Sequence, residues 1–373
     1  MAARPLAVGI DGRELAGRPT GTGRYLRNLL RHWRETGDEL FVYFNGPPAL
    51  DPVVEHPRVH KRALGDGMAR GLVWQELILP AAARADAIDV FFSPAYACPL
   101  RLDRPRVTAV HDLSFFAHPQ DFTLVDALRR RALVAAALRA SRRVAVCSEF
   151  TARELARLFP DLAERAAHIP LAADEDLPAP PSRAEARNAL GLRGPLLLSV
   201  GALLNRRCLP ELLRAVVRLR ERHPGLVLEV VGENRTHPRL DLDALAAGLG
   251  LRAHVRFSGF VGDPELALRY AAADAFVSLS EYEGFGLPAL EAAARGLPLV
   301  LGRAPSQGEI FREAALLVDP RDEAAVTQAL DRALADGPTR QKLVAAGRAL
   351  AARHSWAETA RLTRVALMDA AGR

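Results

Sequence analysis

Short apolar runs alternate with stretches of helical periodicity along almost the whole chain. In the first half the runs are Leu6–Asp11, Leu40–Phe44, Asp89–Ser93, Val107–His111, Arg143–Cys147 and His168–Leu171. Segments with apolar residues three and four apart lie between them, among them Gly23–Trp33 and Thr123–Arg139. The second half repeats the theme. Its predicted strands are Leu196–Val200, Val227–Val231, Val255–Phe260, Ala275–Leu279, Leu297–Leu301 and Ala315–Val318. Its helices include Leu209–Arg222, Pro264–Ala272, Pro288–Arg295 and Glu323–Ala335. Strand and helix in strict alternation mean an α/β protein with parallel sheets and helices on both faces.

The alternation breaks once. Ala172–Ser182 is acidic, proline-rich and without periodicity, as a linker should be. It divides the chain into a first domain at 1–172, a linker at 173–183 and a second domain at 184–354. A terminal segment, 355–373, is helical over Ser355–Ala371, with Trp356 near its start, and is expected to pack back on one of the domains, the first by preference. Two doubly wound domains of similar size are expected to face each other across a cleft. Ligands of open parallel sheets bind outside the carboxyl ends of the strands, so the cleft is where chemistry is expected.

Composition narrows the function classes. The chain has 373 residues, 49% apolar and 25% charged, which fits a globular protein too long for one ordinary core. No apolar run approaches the ~20 residues needed to span a bilayer. Met1–Pro5 leads straight into a strand, so no signal peptide is expected. Cys98, Cys147 and Cys208 are too scattered for a disulfide framework or a zinc site, and a reducing cytoplasm fits them. No His, Cys, Asp and Glu cluster has metal-ligand spacing.

Charge is uneven. Residues 1–172 carry 24 Lys and Arg against 19 Asp and Glu, and residues 173–373 carry 26 against 25. A basic first half suits anionic lipid or a phosphorylated acceptor. Nucleic acid is not expected, since no basic stripe is interleaved with aromatics. The stretch Arg129–Arg139 reads as a basic amphipathic helix able to rest peripherally on an anionic membrane, or simply as a solvated face.

The richest chemistry lies in Glu283-Gly284-Phe285-Gly286-Leu287-Pro288-Ala289-Leu290-Glu291, between a predicted strand and a predicted helix. Gly284 and Gly286 permit a tight turn or close approach to a ligand. Pro288 suits the first turn of a helix. The N–H groups of Phe285, Gly286 and Leu287 can then face a diphosphate, Glu291 a ribose diol, and Glu283 a sugar hydroxyl. The plain alternative is a glycine turn with two solvated acids. Upstream, Gly201–Cys208 also joins a strand to a helix; Gly201 is expected at the donor, and the adjacent Arg206 and Arg207 can neutralise a diphosphate leaving group without a metal. Gly21, Thr22, Gly23 and Arg24 open the first helix after the first strand, where backbone can approach a ligand across the cleft. Leu26 stands where a dinucleotide fingerprint needs glycine, which argues against an oxidoreductase.

The Glu283–Glu291 string resembles the signature of retaining glycosyltransferases of family 4, which adopt the GT-B fold. Agreement runs the length of the chain: Pro19–Tyr25, Val110–Phe115, Val146–Phe150, Ser199–Gly201 and Gly259–Val261 are similar to further family motifs in the usual order. The nearest likeness is to bacterial mannosyl- and rhamnosyltransferases of surface polysaccharide synthesis. The resemblance implies transfer of a hexose, mannose foremost, from a GDP-, UDP- or dTDP-sugar to a saccharide or lipid-linked acceptor, with retention and without a cofactor. It implies that His111 touches the transferred sugar and that domain closure excludes water. Family members usually carry Lys and Asn where this chain has Arg207 and Cys208. A GT-B nucleotide-sugar epimerase and a non-catalytic binding subunit are the alternatives; a phosphorylase would need a cofactor lysine that neither Lys61 nor Lys342 supplies.

Overall fold

The computed structural model describes residues 5–17, 20–48, 51–65, 71–175, 177–335 and 337–373. Pro19 of the first motif, Met1–Arg4 and Asp176 of the linker lie outside the described residues. The chain forms two compact units. One comprises described residues of 1–113, 125–171 and 355–373; the other comprises 114–124 and 172–354.

The first unit holds seven parallel strands: β1 (Ala7–Asp11), β2 (Glu39–Phe44), β3 (Val59–Ala63), β4 (Val90–Ser93), β5 (Arg106–Val110), β6 (Arg143–Val146) and β7 (Ala166–His168). Their spatial order is β3-β2-β1-β4-β5-β6-β7. The central strands are buried along their lengths except at Ala7 and Arg106, which open β1 and β5, as largely apolar runs covered on both faces require. Two differences from the sequence reading stand out. β3 was not expected, because Val59-His60-Lys61-Arg62-Ala63 is polar; it is an edge strand whose charges find partners, with His60 at 2.7 Å from Glu39 and Arg62 at 2.8 Å from Asp86. The last strand pairs through Ala166–His168 rather than His168–Leu171.

The second unit holds six parallel strands: β8 (Leu196–Val200), β9 (Val227–Val231), β10 (Val255–Gly259), β11 (Ala275–Ser278), β12 (Leu299–Gly302) and β13 (Ala315–Val318). Their order is β10-β9-β8-β11-β12-β13. The strand order reverses between β1 and β4 in the first sheet, and between β8 and β11 in the second. At such a reversal the loops after the two neighbouring strands run apart and leave a crevice. In the second sheet those loops are 201–208 and 279–286.

The Trp356–Ala370 helix belongs to the first unit, where it packs on the Gly21–Trp33 helix and on β4, β5 and β6. Trp356, Ala360, Thr363, Leu367 and Ala370 are buried along one face. Ser182, near the end of the linker, caps the Arg183–Ala189 helix in a reciprocal box with Glu185. Segment Ser114–Leu124, expected within the first domain, lies with the second unit.

Candidate active site

The loop after β8 places one of the two arginines. Val200 ends the strand, and Gly201 follows at φ +127, a conformation side chains rarely adopt. A Cβ on Gly201 would stand 2.8 Å from both terminal nitrogens of Arg207. Glycine there lets the guanidinium lie on the backbone. Arg207 Nη1 donates to the Val200 carbonyl at 3.0 Å, and Nη2 lies 3.1 Å from Glu283 Oε1. Its Nε is buried and makes no hydrogen bond to any described residue. Gly201, expected to meet the donor directly, is therefore the floor beneath an arginine.

The facing turn follows β11. Ser280 Oγ donates to Glu283 Oε1 at 2.6 Å, and Ser306 Oγ donates to the Glu283 carbonyl. Both side-chain contacts of Glu283 thus fall on one carboxylate oxygen. Gly286 sits at φ +99 as the cap of the Leu287–Ala294 helix, with Pro288 in its first turn. The first N–H groups of a helix have no partner within it, so this turn presents donors and a positive dipole end. The Phe285 ring is buried edge-on against His354, 5.8 Å between centroids, so only its backbone can serve a ligand. Gly284 and Leu287 flank it in the same turn.

Glu291 is 5% exposed and accepts from the Tyr270 hydroxyl at 2.9 Å. It lies one helical turn inside the helix whose N-terminus faces the crevice, not on the open surface. Gln307, 1% exposed, has a side-chain carbonyl with no hydrogen-bond partner among the described residues and lies beside Gly286.

Arg206 departs from the sequence reading. It is 8% exposed, and its Nη1 stands 3.4 Å from Asp121 Oδ2. Its neighbour Arg207 is the cation that reaches Glu283. The adjacent pair was expected to share one job, but consecutive residues in a single turn of 3-10 helix point in different directions. Cys208 ends that turn at φ +50. A left-handed position suits asparagine, which is what the family resemblance expects there. The Cys208 thiol is pushed up to about 12, first by burial and then by Glu281 and Glu211.

A cavity of about 540 Å³ is lined by Asn205, Cys208, Glu211, Arg214, Glu281 and Arg321 among others. None of Arg207, Glu283 or Glu291 lines it, so it is not the crevice to which the sequence reading assigned the donor.

Five of the expected residues lie in the first unit. His111 follows β5, and its Nε2 donates to the Pro94 carbonyl at 2.8 Å. The Tyr25 ring meets it edge-on at 4.9 Å. Burial lowers the His111 pKa, so the imidazole is neutral at pH 7. Its own carbonyl accepts from Cys147 Sγ at 3.2 Å. Gly21, Thr22, Gly23 and Arg24 form the first turn of the Gly21–Trp33 helix, capped by Thr20, whose hydroxyl accepts from the Gly23 N–H at 2.9 Å. A Cβ on Gly23 would stand 2.4 Å from the Glu14 carbonyl, so packing against its own chain demands that glycine.

Sequence reasoning missed Ser280, Ser306, Tyr270, Gln307 and Asp121. Only Ser280, three residues before Glu283, was within reach of a local argument. The others come from distant segments. Among the described residues no group of three or more His, Cys, Asp or Glu side chains is placed to hold a metal ion.

Two family models match the chain: "Glycosyl transferases group 1" over residues 182–350 and "Glycosyltransferase Family 4" over residues 19–177. The chain is 29% identical over 361 residues to O-antigen chain mannosyltransferase B of Escherichia coli, covering 90% of this chain and 93% of that protein. It is 30% identical over 370 residues to glycogen synthase of Mycobacterium tuberculosis, covering 88% and 86%. Among solved structures, sucrose-phosphate synthase from Thermosynechococcus elongatus superposes with a TM-score of 0.79 at 22% identity, covering 97% of this chain and 98% of that one.

Proposed function

The chain belongs to glycosyltransferase family 4, with the GT-B fold, and we propose that it moves a hexose from a nucleoside diphosphate sugar to a saccharide or lipid-linked acceptor. Mannose is the sugar of choice, on the strength of the O-antigen mannosyltransferase to which the chain is similar over nearly its whole length. The observation that carries the reading is the Arg207–Glu283 pair laid over Gly201, beside the N-terminus of the Leu287–Ala294 helix, at the point where the second sheet reverses its order.

In this reading the diphosphate takes the helix N-terminus and the Arg207 guanidinium. Negative charge grows on the leaving phosphate oxygen as its bond to the anomeric carbon breaks. A fixed cation and fixed N–H donors lower that barrier because they need no reorganisation. Arg207 supplies charge that other enzymes draw from a divalent ion. The second carboxylate oxygen of Glu283 takes a sugar hydroxyl, while Ser280 and Arg207 hold the first. Glu291, steadied by Tyr270, takes the ribose.

Transfer then proceeds on one face of the sugar. The acceptor oxygen forms its bond to the anomeric carbon on the side the diphosphate leaves, and the departing phosphate oxygen takes the acceptor proton. The anomeric configuration is kept, and no covalent enzyme intermediate forms. Neither the epimerase nor the binding-subunit alternative is favoured by the relatives, which are named as transferases and synthases.

The test is direct. The protein is incubated with labelled GDP-, UDP- and dTDP-sugars, with and without saccharide acceptors, in the presence of a chelator. Release of one nucleoside diphosphate, with an α-linked product from an α-linked donor, is expected. Nucleotide binding with no release under any condition would remove the enzymatic reading of this site.

A further inference from the structure

We infer that Asp121 is a positioning residue for the donor site, holding Arg206 as a strut rather than leaving it to meet phosphate; the inference rests on the donor reading above. Asp121 is 5% exposed and Arg206 is 8% exposed, with Nη1 to Oδ2 at 3.4 Å. An arginine so far out of water needs a fixed counter-charge, because desolvating an unpaired guanidinium is expensive. Asp121 is such a counter-charge. It comes from Ser114–Leu124, the segment that leaves the first sheet and lies with the second unit. The same segment makes a second contact: the His118 ring meets the Tyr282 ring edge-on at 5.2 Å.

The pair is wired to the donor site through the main chain. The Arg206 carbonyl accepts from the Glu281 N–H at 2.9 Å. That bond ties the loop after β8 to the turn after β11. Each of the two residues it joins lies one or two positions from a member of the Arg207–Glu283 pair. Moving Arg206 therefore moves both partners of that pair. The strut's own carboxylate, not a ligand, neutralises Arg206.

The sign of one substitution separates this from the phosphate role expected of Arg206. Asp121→Asn removes the negative charge 3.4 Å from the guanidinium. A guanidinium meant for phosphate would then bind nucleotide more tightly or equally well. A strut would slacken, and binding would weaken. We expect Asp121→Asn to weaken GDP or UDP binding by about tenfold in calorimetry on the full chain. The exchanged pair Asp121→Arg with Arg206→Asp is expected to recover most of the loss, which a direct phosphate contact could not do. Tighter or unchanged binding in Asp121→Asn, or an exchanged pair as weak as Arg206→Asp alone, overturns the inference.

If Asp121→Asn does not fold, Asp121→Glu carries the test. It keeps the charge and lengthens the strut by one methylene. Weaker binding with an unfolding temperature close to that of the parent is expected, and unaltered binding overturns the inference. A parent protein that binds none of GDP, UDP and dTDP sinks the donor reading itself, and the strut with it. A parent that binds, with insensitive variants, sinks the strut alone.

Discussion

Two arginines adjacent in sequence take different partners at the head of the second sheet, and their fates set the predictions at the scale of residues. Arg207→Ala and Glu283→Gln are each expected to lower sugar transfer by about 10²-fold, the scale of losing one charge-stabilising group. Turnover of the nucleotide-sugar checks this, and wild-type rates in either variant would count against the site. Gly201→Ala is expected to reproduce the Arg207→Ala defect, because its methyl would occupy the guanidinium's bed 2.8 Å away. A Gly201→Ala enzyme as active as the parent would show that Arg207 does its work elsewhere. The Glu283–Glu291 string was legible because spacing, glycines and proline all lie in one stretch. Which arginine would be buried was not legible, because Asp121 is 85 residues away. The departure at Cys208 was visible as a missing asparagine, but its meaning was not. It is a left-handed backbone position, φ +50, at the entry to a helix.

At the scale of elements, apolar runs revealed every strand with buried faces. β3 carries no apolar run, because its polar residues pair with charges, so nothing in the sequence marked it. The Leu124–Ala140 helix was expected to be basic and amphipathic, yet its outward face is apolar too. Leu124, Val125 and Leu128 are 74%, 75% and 56% exposed, next to Arg129, Arg130 and Arg131. Aliphatic side chains beside arginines suit the boundary of an anionic bilayer, where apolar insertion and lipid charge add. We propose peripheral contact there, and no helix among the described residues is long and apolar enough to cross a membrane. The protein is expected to co-sediment with vesicles rich in phosphatidylglycerol and to leave neutral ones in solution. Val125→Glu with Leu128→Glu should abolish the binding. Equal recovery from both lipids, or no effect of the double variant, would dismiss the contact.

At the scale of the whole chain, the last helix returns to close the first unit. Arg364 grips Asp38 with two nitrogens, at 2.7 and 3.1 Å. Asp38 also accepts from the Leu6 N–H at 2.9 Å and the Trp33 indole at 3.1 Å. Burial alone pushes this carboxyl up, but Arg364 and the other donors outweigh it and hold its pKa below 3.8. A depressed carboxylate pKa contributes stability that is present above the unfolded value and lost as pH falls through the folded one. Arg364→Ala removes the main donor and leaves Asp38 buried. It is expected to cost about 3 kcal/mol and to move acid unfolding to higher pH. Urea titrations of both proteins at pH 7 and pH 4 check the loss, and coincident curves would refute it.

A polypeptide leaves the ribosome from its amino end, yet the Trp356–Ala370 helix covers β4, β5 and β6 of a sheet begun near residue 7. The unit translated earlier therefore waits, part of β4, β5 and β6 without its covering helix, until the one translated later is complete. During that interval it is a natural client for chaperones. A fragment ending at Leu171 is expected to bind hydrophobic dyes and to become compact when a peptide of residues 355–373 is added.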